Sequence, residues 1–400
     1  MKEKEAMKLE DSLLAGVYQK FPVTVVKGKG ALVWDINGRE FIDLMGGYGV
    51  SLVGHCHPKV VEAVKNQCEK LITCHGSLYN DKRAELLEKL VKIAPQGLNK
   101  AFLCNSGAES VECALKLAVK HTGRKEFIAM IGGYHGKTLG ALSATWGPKY
   151  RNPFQPLLVP SVKFVPFGNI DKVKEAVTEE TAAVITEPIQ GENGIYVAPK
   201  GFLQSLREVC DEHDALLIFD EIQTGFGRTG KMWASQHWQV TLDIMCIAKS
   251  MAGGLPMGAT VAKGEVMDAF KTGEHSSTFG GNPLVCAAAC ATIDVVVEEK
   301  LAERARVLGE YFKGRLLEIQ ENLQIVREVR GLGLMIGLES RFDVYNLLMK
   351  AIDRGLIMLY SKKNILRFLP PLVIEKPQLE KAATILEELL GEEEQERLHS

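Results

Sequence analysis

Between about residues 100 and 264, short apolar runs of strand length alternate with longer stretches whose apolar residues recur at helical spacing. Residues 101–104, 127–130, 162–165, 182–185, 215–219, 244–248 and 258–262 are the strand-like runs. Helical patterns lie at 107–120 and about 200–213. This alternation predicts βαβ units and a largely parallel sheet covered on both faces.

The pattern changes after Asn282-Pro283. A small-residue helix over 286–291 runs into a charged helix reaching about Leu317. Strands near 326–329, 334–338, 357–359 and 365–368 follow, with helices at about 342–353 and 376–390. That order is α+β and predicts a second, smaller domain. Toward the start, 31–34 and 41–44 read as a strand pair about Asn37-Gly38, and helices at about 58–71 and 81–93 lead into the sheet region. The expected division is an N-terminal segment (1–54) packing with the small domain, a large domain (55–300) and a C-terminal small domain (301–400). From Gly391 onward a charged, frayed tail is expected.

Two polar residues punctuate the apolar runs. Asp220 closes Ala215-Leu216-Leu217-Ile218-Phe219, and Lys249 closes Ile244-Met245-Cys246-Ile247-Ala248. In a mostly parallel sheet both side chains arrive at one carboxyl edge, where open α/β folds hold their ligands. A desolvated lysine there can bond covalently to a carbonyl, and a nearby anion can keep a heterocyclic nitrogen protonated. Pyridoxal phosphate chemistry requires both of its protein.

Composition narrows the classes. Four hundred residues exceed what one core usually serves, and 46% hydrophobic with 24% charged residues is ordinary for a soluble globular enzyme. A net charge of -2 gives no electrostatic case for nucleic acid or an anionic membrane. The charged start leads into no apolar signal region, and no apolar stretch is long enough to span a bilayer. The nine cysteines form no Cys-x-x-Cys pair. Six of them (Cys104, Cys113, Cys210, Cys246, Cys286 and Cys290) sit in apolar patterns as small hydrophobes, which favours a reducing, cytoplasmic setting.

Several further segments admit both a structural and a chemical reading. Asn105-Ser106-Gly107-Ala108-Glu109 is either a capped helix start or a phosphate cradle. Thr278, in His275-Ser276-Ser277-Thr278-Phe279-Gly280-Gly281, is a second phosphate donor or part of a plain loop. Tyr134, after Gly132-Gly133, either stacks on a ligand ring or packs at a turn. His55-Cys56-His57-Pro58 lacks metal-ligand spacing and reads as a turn, with no metal expected. Gly225-Phe226-Gly227-Arg228-Thr229-Gly230 matches G-x-G-x-x-G, with Asp243 near the ribose-acid spacing. That makes a nicotinamide-linked oxidoreductase the main rival, although five residues separate strand from motif and no amphipathic helix follows. Arg367, a lone cation in an apolar strand, needs a carboxylate partner. Either a substrate carboxylate supplies it or Glu192 does from within the chain, and both readings hold if Glu192 covers Arg367 until a diacid displaces it.

Taken together, in order and spacing from Gly54-His55 to Pro371, these segments resemble the class III aminotransferases of pyridoxal phosphate fold type I. The resemblance implies a large domain with a mostly parallel seven-stranded sheet, a smaller α+β domain, and a homodimer with shared active sites. It implies Lys249 as covalent tether, Asp220 at the pyridine nitrogen, Gln223 near the phenolic oxygen and Tyr134 on the ring. Gly107, Ala108 and the neighbouring subunit's Thr278 would bind the phosphate. Tyr48, Lys137, Glu192, Ser277 and Arg367 would form the substrate site, with Arg367 holding the α-carboxylate of glutamate or 2-oxoglutarate.

Residues 46–50, 146–150 and 365–375 look most like acetylornithine enzymes and the relative acting on lysine linked to an amino-carrier protein. One departure stands out: His135-Gly136 is followed by Lys137, where acetylornithine-type enzymes usually carry Arg and putrescine-type enzymes carry Lys. The expected activity is transfer of a terminal amino group from acetylornithine, or carrier-linked lysine or ornithine, to 2-oxoglutarate. Alternatives are putrescine, 4-aminobutyrate or ornithine as donor, an aminomutase that needs no keto acid, and a silenced, non-catalytic paralogue.

Overall fold

The computed structural model describes residues 2–398. Near the N-terminus β1 (Val25–Lys29), β2 (Leu32–Asp35) and β3 (Glu40–Asp43) form an antiparallel meander. The main sheet is built from β4 (Leu98–Cys104), β5 (Glu126–Ile131), β6 (Val162–Pro166) and β7 (Thr181–Thr186). A small hairpin, β8 (Ile189–Gln190) and β9 (Tyr196–Val197), interrupts it before β10 (Leu216–Asp220), β11 (Ile244–Ile247) and β12 (Gly258–Lys263). The seven strands lie in the order β4-β12-β11-β10-β7-β5-β6. The pairs from β6 to β11 are parallel, and β12 runs antiparallel to both its neighbours. The mostly parallel seven-stranded sheet is therefore the one expected.

Alternation along each central strand explains why both faces are covered. Leu216 and Ile218 of β10, with Ala183 and Ile185 of β7 and Ile244 and Cys246 of β11, face the helix Gly107–Thr122. That helix answers with Val111, Ala114, Leu115 and Ala118, an i, i+3, i+4, i+7 stripe. Leu217, Phe219, Val184, Met245 and Ile247 face the other way, toward the helix Phe202–Glu212 with Phe202, Leu203, Leu206 and Val209. Strands buried on both sides read as unbroken apolar runs, which is why the sequence exposed them so clearly. The six cysteines in apolar patterns are all buried.

The last part of the chain is α+β: β13 (Val326–Leu332), β14 (Met335–Ser340), β15 (Leu356–Ile357), β16 (Leu359–Ser361) and β17 (Ile365–Phe368). An antiparallel sheet of order β13-β14-β17-β16 carries Arg367, while β15 leaves it to pair parallel with β3. The single strand expected at 357–359 is thus two strands in two sheets, divided at Met358. The helical run after Asn282 is likewise two helices, Pro283–Glu298 and Leu301–Asn322, broken where Lys300 turns left-handed (φ 51°).

The tail expected to fray from Gly391 instead continues the helix Lys376–Leu398. Leu389 and Leu390 are buried, and Arg354 pairs with Glu388 and Glu392 along that face. Among the described residues no helix is long and apolar enough to cross a membrane.

Candidate active site

β10 is buried and apolar up to Phe219, then closes on the buried Asp220. β11 lies parallel, with Asp220 opposite Cys246, and ends two residues before Lys249. Lys249 turns left-handed at φ 40°, a conformation that costs a non-glycine residue of order 1–3 kcal/mol. Ser250 braces the turn by donating Oγ to Gly49 O at 3.0 Å. Asp220 and Lys249 line one cavity of about 410 Å³, a size typical of small-molecule sites (about 300–1,000 Å³).

Both oxygens of Asp220 are engaged. Oδ1 accepts the Ile222 N–H at 3.0 Å, and Oδ2 pairs with His135 Nδ1 at 2.7 Å. Burial alone would lower the His135 pKa, but the bond to Asp220 and its charge raise it above the usual imidazole value. Around Lys249 burial prevails over the attraction of Glu192 and Asp220, so its amine is easier to deprotonate than an ordinary lysine.

Arg367, fully buried in β17, is gripped by Glu192: Nη1 to Oε1 at 2.9 Å and Nη2 to Oε2 at 3.1 Å. Nη1 also donates to Gly191 O at 2.9 Å. Burial would raise the Glu192 carboxyl, but Arg367 and then Lys249 hold it below the usual carboxylate value. Tyr48 presents its ring 5.9 Å from the guanidinium. It rides on the turn Gly46-Gly47-Tyr48-Gly49, where all four residues have positive φ. A side chain at Gly46 would meet Leu369 O at 2.5 Å, so glycine is required there. Gln223 Nε2 donates to Tyr48 O at 3.4 Å, linking this turn to the segment after Asp220.

On the opposite wall Ser106 caps the helix Gly107–Thr122 by accepting the Glu109 N–H at 3.2 Å. Gly107 and Ala108 line the cavity in the first turn, where N–H groups lack intrahelical acceptors. Tyr134 stands at the same cavity, edge-on to Tyr150 with centroids 6.0 Å apart. Burial and the charge of Glu192 push its hydroxyl up to about 12. Lys137 and Lys149 place their ammonium groups 5.4 and 4.8 Å from the Tyr150 ring. Ser277 and Thr278 are not brought into this cavity within one chain. They line a separate hollow of about 360 Å³ beyond Asn105, whose Nδ2 donates to Ser277 Oγ at 3.1 Å.

Glu187 and His135 belong to the site although the candidate residues omit them. Glu187 directly follows the buried strand β7 (Thr181–Thr186), level with Asp220 at the end of β10, so an acid just past a buried strand was the signal to follow. Its oxygens accept the Tyr134 N–H at 2.9 Å and the Gly191 N–H at 3.0 Å. Burial, opposed in part by His135, pushes its carboxyl up to about 7.

The residues fit a phosphorylated heterocyclic aldehyde. A helix N-terminus faces one end, an acid paired with histidine the other, and Lys249 lies with them. Gln223 Oε1 is buried without a hydrogen-bond partner among the described residues, as an atom awaiting a ligand donor would be. The rival motif does not fit its reading. Gly225 lies against Trp233, Gly227 against Ala302 and Gly230 against Arg306, and the next helix is the short Ser235–Trp238. The motif is a close-packed turn rather than a strand-to-helix phosphate loop. Asp243 is held by Arg207 and Lys263, each at 2.6 Å. In the segment His55-Cys56-His57-Pro58, His55 binds Asp43 at 2.7 Å and His57 lies 3.3 Å from Glu299.

A model of the family "Aminotransferase class-III" matches residues 14–390. An acetylornithine aminotransferase of Methanopyrus kandleri is 50% identical over 388 residues, 96% of this chain and 99% of that one. A LysW-aminoadipate semialdehyde transaminase of Deinococcus radiodurans is 49% identical over 380 residues, 94% of this chain and 88% of that one. Among solved structures, the ornithine aminotransferase of Toxoplasma gondii superposes with a TM-score of 0.95 at 34% identity, covering 99% of this chain and 96% of that one. A second structure of that enzyme is described with partial occupancy of PLP at its active site.

Proposed function

This chain belongs to the class-III aminotransferase family, and from that premise we propose that it transfers the terminal amino group of an ω-amino donor to 2-oxoglutarate. The products are a semialdehyde and glutamate. The donors proposed are acetylornithine, or lysine or ornithine linked to an amino-carrier protein, a choice supported by relatives named acetylornithine aminotransferase and LysW-aminoadipate semialdehyde transaminase. One observation carries this reading: Glu192, lining the cavity with Lys249, holds the buried Arg367 in a bidentate grip. A covered guanidinium suits two alternating substrates. With Glu192 in place, a donor presents only its ω-amine to Lys249. When 2-oxoglutarate arrives, its α-carboxylate replaces Glu192 on the same fork, which matches carboxylate geometry.

The family implies pyridoxal 5′-phosphate. Gly107, Ala108 and the partner subunit's Thr278 would hold its phosphate, Tyr134 its ring, Asp220 its ring nitrogen, Gln223 its phenolic oxygen and Lys249 its aldehyde carbon. When bound, this cofactor supplies an electron sink for the pair left by a broken C–H bond. The chain does the rest. Asp220, tied to His135 and the Ile222 N–H, is held fixed toward the cavity. Lys249, its amine freed by the incoming substrate amine, takes the proton from the carbon bearing that amine. Tyr48 and Lys137, with Ser277 of the partner subunit, are proposed to meet the far end of the donor.

Lys137, which lines the cavity, favours an anionic donor over a diamine. Lys137 and Lys149 both point their charge at the Tyr150 ring, and two cations repel a third. Steady-state rates over a panel of acetylornithine, ornithine, 4-aminobutyrate, putrescine and a carrier-linked lysine, with 2-oxoglutarate, test this reading. Putrescine outranking every carboxylated donor would overturn the donor assignment.

A further inference from the structure

Glu187 lies under the site, at the junction of its two halves. Oε1 accepts the N–H of Tyr134, and Oε2 accepts the N–H of Gly191. Gly191 in turn gives its carbonyl to Arg367 Nη1, and the next residue is Glu192, which grips the same guanidinium. Gly191 has no room to shift toward Gln223, since even a Cβ there would lie 1.9 Å from Gln223 Oε1. One buried carboxylate therefore fixes the loop that presents Tyr134 and the turn that presents Glu192. We propose that Glu187 is a positioning residue that couples these two segments and sets the Arg367 fork for the dicarboxylate half of the reaction.

Its charge is costly where it stands. Burial raises its carboxyl to about 7, and Asp220 repels it, with relief from His135. Tyr134, Glu192 and Lys249 are the other ionisable groups around it. A neutral amide of the same shape could accept only one of the two N–H groups. The ionised form does something the amide cannot: both oxygens accept an N–H at once. On protonation one oxygen becomes a donor facing an N–H, and one of the two ties is lost. The hold on Gly191, and through it on Arg367, is then weaker on the acid side of neutrality.

This inference rests on the proposed function, with Arg367 as the carboxylate site. Its test is the binding of glutarate, an unreactive dicarboxylate, to the cofactor-loaded enzyme by calorimetry between pH 5.5 and 9. Wild type, Glu187→Gln, Glu187→Asp and Arg367→Ala are compared. Loss of one charge-assisted hydrogen bond predicts roughly tenfold weaker glutarate binding by Glu187→Gln at pH 8. The wild-type affinity should step down as pH falls through neutrality, and that step should be missing in Glu187→Gln. The half-reaction with an ω-amino donor, run while Glu192 still covers Arg367, should slow by a smaller factor. Glu187→Asp, too short to span both N–H groups, should resemble the Gln variant.

Glutarate binding by Glu187→Gln equal to wild type at pH 8, or an unchanged pH step, overturns the inference. If Arg367→Ala also binds glutarate normally, the underlying function fails instead. Infrared difference spectra of wild type alone give an independent check. A protonated carboxyl band that appears near neutral pH supports the inference, and no such band above pH 5.5 contradicts it.

Discussion

Glu192 meets Arg367 with both carboxylate oxygens, at 2.9 and 3.1 Å, and so neutralises a guanidinium that is otherwise sealed inside β17. Removing either partner has distinct consequences. Arg367→Ala leaves 2-oxoglutarate without its fork, and loss of two charge-assisted bonds should raise its KM by at least about thirtyfold. Glu192→Ala uncovers the fork for any α-carboxylate. Ornithine should then begin to react at its α-amine, a shift detected by analysing its keto product.

Lys249→Ala should leave a protein that binds the cofactor without the covalent chromophore and turns over at least about a thousandfold more slowly. Because burial lowers the Lys249 pKa, tethering in wild type should proceed near neutral pH, where an ordinary lysine is almost fully protonated. Absorbance during reconstitution of the apo-enzyme at pH 7 measures both.

The raised carboxyl of Glu187 makes a stability prediction of definite sign. Its folded pKa of about 7 lies above the usual value near 4.5, so the folded state holds the proton more tightly than the unfolded one. Stability from this group is complete below about pH 4.5 and is lost as pH rises to about 7. Glu187→Gln should therefore gain on wild type across that window, by up to about 3 kcal/mol, and the gain should level off above pH 7. Thermal unfolding of the apo proteins at pH 5 and 8 reads this directly. An advantage that shrinks as pH rises would contradict the assignment.

At the mouth, Lys137→Glu reverses one of the two charges on Tyr150. The rate for a carboxylated donor should fall about tenfold relative to putrescine, while Lys137→Arg should preserve the order. A donor panel on the two variants measures the ratio. An unaltered ratio in Lys137→Glu would remove this residue from donor recognition.

Much of this was legible in the chain because the central strands are buried on both faces. An acid or amine at the end of such a run, as at Asp220 and Lys249, cannot be ordinary core. Glu187 obeys the same rule, yet its segment Glu187-Pro188-Ile189-Gln190 reads locally as a turn. Its role depends on the backbone N–H of Tyr134, far away in sequence, as well as that of nearby Gly191, and only folding brings the two together. Met358 divides β15 from β16 because Leu356–Ile357 finds a partner in β3, more than 300 residues earlier, which no local pattern encodes. The helix beyond Gly391 was hidden by its charge. Beyond Gly391, Glu392 pairs with Arg354, and Glu393 and Glu396 pair with Lys350; propensity alone underrates such pairing. The G-x-G-x-x-G motif misled in the opposite sense, since Gly227 and Gly230 serve close packing against the helix Leu301–Asn322 and Gly225 packs against Trp233.

Amino transfer through Lys249 is proposed to run in two strokes, with Arg367 covered in the first and open in the second. It is tested most directly by single-turnover spectroscopy of the purified, cofactor-loaded protein. Acetylornithine alone should discharge the chromophore with one equivalent of aldehyde formed, and 2-oxoglutarate alone should then restore it with one equivalent of glutamate. A chromophore indifferent to every ω-amino donor, or one that recovers without any keto acid while an isomerised amine accumulates, would contradict the account.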